Sequence, residues 1–285
     1  LLRVYDTGVM NSSQMRNAAP TPVVVTIGGM DPGAGAGLGR DLLTATARGA
    51  AVRMVGTAWT EQSPDGVFSI EPRDPAALED AVRRALRAPT PSAVKVGMLP
   101  GPIQADAILR GLVGFAGPLV VDPVLYASHG GALWGGAPEQ LMPLLRRASL
   151  VTPNVLEAAA LTGHAIARLG DASAAARMLR AAGVSAVLVK GGHLPDDGGD
   201  QVIDLLATAA GERRYARRRI LGQVPGQPAP GQPANPRGTG CALATAIAID
   251  LGTGYALEDA IERATTWLAG RIAASAEIDG ERRLG

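Results

Sequence analysis

The sequence predicts an α/β fold: a three-layer α/β/α sandwich around a mainly parallel central sheet. Two patterns carry that expectation. Short β-rich apolar runs alternate with helical patterns for most of the chain, as in units where a helix connects parallel strands. The runs are also close to continuously apolar, as strands covered on both faces must be. With 285 residues, 47% of them hydrophobic, the chain has enough apolar side chains for a large core.

In chain order, strands are expected at 23–28, 52–59, 93–99, 119–124, 150–152 and 186–190. Each combines β-branched or aliphatic residues with a nearby turn residue. Between them, helical spacing of apolar residues marks 37–47, 75–87, 103–112, 138–147, 155–161 and 172–182. After Lys190 the pattern changes. The runs 202–208 and 213–221, separated by Ala210-Gly211-Glu212, read as a β-hairpin. Two helices, at 241–251 and 257–274, are expected to close the fold.

No composition break divides the chain, so residues 22–285 are read as a single domain. Residues 1–21 are polar and aperiodic, begin with Leu, and read as a poorly ordered leader without the apolar core of a secretory signal. Residues 222–236 nearly repeat Gly-Gln-Pro-Ala and read as a Gly/Gln/Pro-rich insertion that favours extended, solvated conformations. The net charge of +1 gives no reason to expect nucleic acid or an anionic membrane as partner, and no apolar stretch reaches the length of a membrane helix. One cysteine excludes an internal disulfide framework and suits a reducing, cytoplasmic setting. Three scattered histidines make a structural zinc site an unattractive reading.

The segment Gly238-Thr239-Gly240-Cys241, opening an apolar helical run, is the most informative feature. Free N–H groups at a helix start converge on one point and, with the helix dipole, bind anionic oxygens. A cysteine in that first turn is expected to have a lowered pKa. Only two of the 27 basic residues are lysines, at 95 and 190. Lys190 ends a strand and precedes two glycines, where a compact ammonium suits a phosphate. Lys95, inside a strand, reads instead as half of a structural ion pair. Asp31 lies in the glycine-rich loop after the first strand, and Asp122 ends a buried run. Asn154 and Glu157 have the spacing of a helix capping box. Carboxylates at strand ends beside an anion-binding helix start suit Mg²⁺-nucleotide chemistry.

In order, the segments Gly29-Met30-Asp31-Pro32…Gly35-Ala36-Gly37, Val94-Lys95-Val96-Gly97-Met98-Leu99, Val121-Asp122-Pro123-Val124, Thr152-Pro153-Asn154…Glu157-Ala158, Val189-Lys190-Gly191-Gly192-His193 and Gly238-Thr239-Gly240-Cys241 resemble the hydroxymethylpyrimidine/phosphomethylpyrimidine kinases of thiamine biosynthesis. These belong to the ribokinase-like superfamily, and the resemblance runs from about Val23 to Ala274. It implies a ribokinase-like α/β/α domain that transfers the γ-phosphate of ATP, with Mg²⁺, first to the hydroxymethyl group and then to the resulting phosphate ester. By the same resemblance Cys241 takes the place of the catalytic base, and Gly238, Thr239 and Gly240 form the anion hole. Lys190 and Asn154 contact the nucleotide. Asp122 and Glu157 organise Mg²⁺ through water. Asp31, Gly29 and Met98 line the substrate pocket. The expected partner is a small-molecule substrate, with no nucleic acid and no membrane; a homodimer is left open.

Three departures stand out. The family places Gln where this chain has Gly39, so Gly39 is expected to leave a gap beside the pyrimidine amino group, with Arg40 or Gln62 as side chains able to fill it. Arg237 stands where the family usually has His. The family's glycine- and histidine-containing tail is replaced by the stretch from Ile278 to Arg283. Two alternatives therefore accompany the leading reading: a pyridoxal/pyridoxine-type vitamin kinase, and a non-catalytic protein that binds the pyrimidine phosphate.

Overall fold

The computed structural model describes residues 21–63, 66–127, 131–193, 201–220, 236–278 and 281–285. The expected leader (apart from Thr21) and the Gly/Gln/Pro-rich insertion (apart from Pro236) lie outside the described residues. In chain order the elements are β1 (Val23–Met30), α1 (Gly37–Ala47), β2 (Ala51–Ser63), β3 (Gly66–Pro72), α2 (Pro75–Ala85), β4 (Ala93–Val96), α3 (Pro102–Gly111) and β5 (Leu119–Val121). There follow α4 (Met142–Arg147), β6 (Leu150–Val151), α5 (Val155–Thr162), α6 (Leu169–Ala181), β7 (Val187–Val189), β8 (Gln201–Thr208) and β9 (Gly211–Arg218). The chain continues through α7 (Thr239–Gly252), α8 (Leu257–Ala273), β10 (Ala276–Ile278) and β11 (Glu281–Arg283).

Nine strands form one sheet in the order β3-β2-β1-β4-β5-β6-β7-β8-β9. The six central strands are parallel, whereas β3, β8 and β9 are added antiparallel at the edges. Strand alternation sends successive residues to opposite helix layers. Val25, Ile27, Val94 and Val96 pack with α2 to α6, and Val24, Ala93 and Val120 pack with α1, α7 and α8. The expected three layers are therefore present.

Lys95 occupies the position in β4 that faces α1 and α7. Its ammonium lies 2.9 and 2.8 Å from the two Asp41 oxygens, and Thr245 on α7 donates to the same carboxylate at 2.8 Å. All three side chains are fully buried. Asp41 holds the Lys95 ammonium charged despite its burial. The group ties the strand to both helices whose N-termini approach the site, so Lys95 is the structural ion pair that the sequence suggested.

Several boundaries differ from expectation. The 138–147 segment is a short 3₁₀ turn, Pro138–Leu141, followed by α4, because Pro143 has no N–H to continue a helix and is tolerated only in a first turn. α6 begins three residues earlier than its apolar spacing suggests, where the Asp171 carboxylate accepts from the Ala167 and Arg168 N–H groups. β3 and the β10–β11 hairpin were not expected at all.

Candidate active site

Strand order reverses at β1. β1 leads through α1 to β2 on one side, while β4 and its successors build outward on the other. In open parallel sheets ligands gather beyond the strand C-termini at such a switch point. The sequence places four polar residues and one methionine there: Asp31 follows β1, Met98 follows β4, Asp122 follows β5, Asn154 follows β6 and Lys190 follows β7.

Lys190 is fixed from both directions. Its N–H donates to the Pro153 carbonyl at 2.8 Å, and it pairs with Asn154 as an isolated bridge. The next residue has to be glycine, since a Cβ on Gly191 would overlap the Ile203 carbonyl of β8. Asp204 accepts from the Gly191 N–H at 2.8 Å, which sets the direction in which the chain leaves β7. The Lys190 ammonium then lies 2.6 Å from Asp122, whose Oδ1 also accepts from Thr152 at 3.1 Å. Asn154 and Glu157 form the expected capping box of α5, with reciprocal bonds of 2.7 and 2.9 Å. Burial pushes the Glu157 carboxyl up to about 7; Lys190 opposes that rise and Asp122 reinforces it.

α7 starts at Gly238, which has φ +77°, a left-handed conformation that glycine adopts at little cost. Among the described residues no side chain caps this helix, which leaves its first N–H groups available. A Cβ on Gly238 would meet the Gly35 carbonyl of the β1–α1 loop, and one on Gly240 would sit 3.1 Å from Lys190 Nζ and 3.5 Å from Asp122 Oδ2. Close approach to backbone dictates glycine at 238, whereas a side chain at 240 would crowd the Lys190 ammonium. The uncapped helix start, Lys190 and Asp122 converge on one small volume.

Cys241, in the first turn, contradicts one expectation. Its thiol is pushed up rather than down, first by burial and then by the Asp41 and Asp122 charges. Lys95 and the Gly37 N–H act the other way but do not prevail. The helix start alone suggested thiolate; the loss of hydration at this half-buried turn, together with the Asp41 and Asp122 charges, reverses the sign.

On the opposite side, Asp31 is spent on organising its own loop. Its carboxylate accepts from the Gly33 and Ala36 N–H groups at 3.0 and 2.9 Å and lies 3.2 Å from Arg237. Arg237 also donates to Gln62 Oε1 at 2.6 Å, so the residue standing in the family's histidine position clamps the end of β2 onto the β1–α1 loop. Met98 packs over Gly29, where a Cβ would lie 2.8 Å from its sulfur. With Ala58 and Leu133 it forms a small apolar cluster beyond the strand ends. The gap expected at Gly39 does not exist. A Cβ there would lie 2.7 Å from Ala34 Cβ and 2.8 Å from Ala34 Cα, so this position faces the loop backbone.

Sequence reasoning missed Arg40 as a buried group. Only 5% exposed, it lies against Gly238, whose Cβ position is 3.0 Å from Arg40 Cγ. Its Nε is buried without a hydrogen-bond partner, and among the described residues its guanidinium forms no ion pair. Burial lowers its pKa and the nearby Arg283 charge adds to the effect, while Cys241, Asp31 and Asp41 oppose it without prevailing. Nothing in the local pattern of α1 signals this, because Arg283 is brought there by β11, which pairs with Arg237 from the far end of the chain.

The phosphomethylpyrimidine kinase family model matches residues 31–283. The chain belongs to that family. A hydroxymethylpyrimidine/phosphomethylpyrimidine kinase of Rhizobium meliloti is 37% identical over 270 residues, covering 91% of this chain and 93% of the relative. Its Escherichia coli counterpart is 34% identical over 268 residues, covering 92% and 94%. Among solved structures, a phosphomethylpyrimidine kinase from Clostridium difficile superimposes with a TM-score of 0.74 at 29% identity, covering 88% of this chain and all of that one. A Staphylococcus aureus pyridoxal kinase in complex with ADP gives 0.79 at 25% identity, covering 93% of each chain. The protein is thus a ribokinase-like phosphotransferase, a kinase of a small pyrimidine- or pyridoxal-type metabolite. That membership sets aside the non-catalytic alternative and implies ATP and Mg²⁺ as cofactors. The donor set fits such a metal: Asp122 and Glu157 are two buried carboxylates beside Lys190, and no cluster of three or more metal-binding side chains occurs among the described residues. Mg²⁺ typically keeps waters and is shared with phosphates rather than caged by protein. No helix among the described residues is long and apolar enough to cross a membrane.

Proposed function

We propose that this protein phosphorylates hydroxymethylpyrimidine and then its monophosphate, two successive ATP-dependent steps of thiamine biosynthesis. The observation that carries the reading is the convergence of Lys190, Asp122 and the uncapped start of α7 on one volume, in a chain 37% identical to a kinase named for both substrates. Lys190 and Asn154 hold the nucleotide phosphates. Asp122 and Glu157 hold Mg²⁺ through water, and the metal, when bound, neutralises phosphate charge. The Thr239, Gly240 and Cys241 N–H groups receive the charge that develops on the transferring phosphoryl oxygens. Met98, Gly29 and the Asp31 loop form the acceptor pocket at the switch point between β1 and β4.

In the first step the hydroxymethyl oxygen bonds to the γ-phosphorus, the bond to the ADP oxygen breaks, and the hydroxyl proton passes to Cys241 Sγ. Because that thiol is pushed up, the step draws on a minor ionised fraction at neutral pH, which phosphoryl transfer tolerates since it depends mainly on positioning and charge stabilisation. In the second step a phosphate oxygen is the nucleophile. It carries no proton that must be removed, so Cys241 matters less and the charge of the acceptor matters more.

A second reading, a pyridoxal-type kinase, is supported by the TM-score of 0.79 with the Staphylococcus aureus pyridoxal kinase. ADP release measured with hydroxymethylpyrimidine, its monophosphate, pyridoxal and pyridoxine separates the two. The larger kcat/KM is expected for the pyrimidines; turnover confined to the pyridines would overturn the leading reading.

A further inference from the structure

Arg40 is the one buried cation near the site whose charge has no hydrogen-bonded counterpart among the described residues. Burying a guanidinium without a partner is costly. Burial and the Arg283 charge disfavour the Arg40 cation; Cys241, Asp31 and Asp41 favour it, but none of them forms a hydrogen bond or ion pair with its guanidinium, and the Asp31 carboxylate is already engaged by two backbone N–H groups and Arg237. The side chain leans on Gly238 at the start of α7, with its Cγ 3.0 Å from the Gly238 Cβ position, whereas Lys190 and Asp122 approach the same helix start at Gly240. An arrangement of this kind is complete only when an anion arrives.

We propose that Arg40, supported by Arg283, binds the phosphate of a phosphorylated acceptor, so that this chain favours the monophosphate ester over the free alcohol. The inference rests on the reading of the protein as a kinase of a hydroxymethyl heteroaromatic and its phosphate, and it adds a subsite at a position that lies outside the motifs carrying the family resemblance. A planar guanidinium fork matches two phosphate oxygens, and its positive charge offsets the repulsion between the acceptor phosphate and the γ-phosphate. The bond formed is from an acceptor-phosphate oxygen to the γ-phosphorus, with ADP leaving; Arg40 holds the acceptor and exchanges no proton.

The test uses the full chain and the variants Arg40→Met and Arg40→Gln. The ratio of kcat/KM for the monophosphate to that for the alcohol is expected to fall about 10-fold or more in both, the scale of a lost charge-assisted hydrogen bond. Thermal unfolding supplies a readout that a merely structural arginine would not give. Without ligand the variants should melt at or above the wild-type temperature, because a buried guanidinium with no hydrogen-bonded counterion among the described residues has been removed. Inorganic phosphate, used as the probe, should raise the melting temperature of the wild type more than that of either variant. This holds even for a protein that turns over no pyrimidine, so failure of the subsite and failure of the kinase reading are distinguishable. A lower melting temperature with an unchanged kcat/KM ratio would make Arg40 structural and overturn the proposal. A rise confined to KM for ATP would assign the side chain to the nucleotide and overturn it equally.

Discussion

The two ends of the site are built differently. At the end proposed for the nucleotide each charge has its counterpart in place: Lys190 on Asp122, Asp122 on Thr152, and Glu157 on the Asn154 N–H. At the end proposed for the acceptor Asp31 is consumed by its own loop and Arg237, while among the described residues Arg40 has no hydrogen-bonded counterion. A paired end is pre-organised before any ligand binds. An unpaired end waits for the charge of its ligand, so substitutions there alter which acceptor is used more than whether transfer occurs.

The largest expected effect comes from the one side chain assigned a proton. Cys241→Ala should lower kcat for the alcohol roughly 10²-fold or more, the range for a positioned base, and lower kcat for the monophosphate much less. Equal losses on both acceptors, read from initial rates, would show that Cys241 contributes packing or helix geometry instead. Arg40→Met and Cys241→Ala are therefore expected to move the acceptor preference in opposite directions.

Next in size is Gly240→Ala, which should disturb the paired end. Its new Cβ would lie 3.1 Å from Lys190 Nζ, so the ammonium has to move away from the phosphates. KM for ATP is expected to rise about 10-fold, as for loss of one charge-assisted contact. An unchanged ATP dependence would place the nucleotide elsewhere.

Gly39→Gln sharpens the contrast at the other end. The gap read from the sequence would make this change restore pyrimidine recognition. The structure fills that space with Ala34, so the substitution should cost about 1–3 kcal/mol of stability by overpacking and bring no gain in selectivity. Urea unfolding and the kcat/KM ratio for pyrimidines with and without the amino group decide between these outcomes.

The smallest effect is one of pH. Glu157 has a pKa of about 7 in the fold, above the usual carboxylate value. Between that ordinary value and about 7 the folded protein therefore binds more protons than the unfolded chain, and stability falls as pH rises through the window. Ligand-free, metal-free protein should lose melting temperature between pH 5 and 8 (a window set by that shift), and Glu157→Gln should flatten the slope. A wild-type slope of opposite sign would contradict the burial assigned to this carboxyl.

The contrast between the two ends also explains what was legible in the sequence. Polar residues that follow buried strands were readable, because a strand's C-terminal end in a parallel sheet is a position the chain itself declares. α1 matched its expected bounds, and the Asn154–Glu157 box followed from local spacing. What escaped depends on chain segments far apart in sequence. β3 is an edge strand with largely exposed positions, without the apolar run that marks buried strands. Arg40 was read only as a side chain able to fill a gap at Gly39, and its burial beside β11, which pairs with Arg237, was not legible locally. The Cys241 shift followed the same logic, since its local helix start and its tertiary burial push in opposite directions.

The central claim is that one site performs both phosphorylations. A ³¹P NMR time course of the wild-type protein with hydroxymethylpyrimidine, Mg²⁺ and excess ATP tests it most directly. A monophosphate ester resonance is expected to rise first and then give way to the coupled pair of a diphosphate ester. A monophosphate that accumulates and persists while ATP remains would contradict a second transfer at this site, and the absence of any new ester would contradict the first.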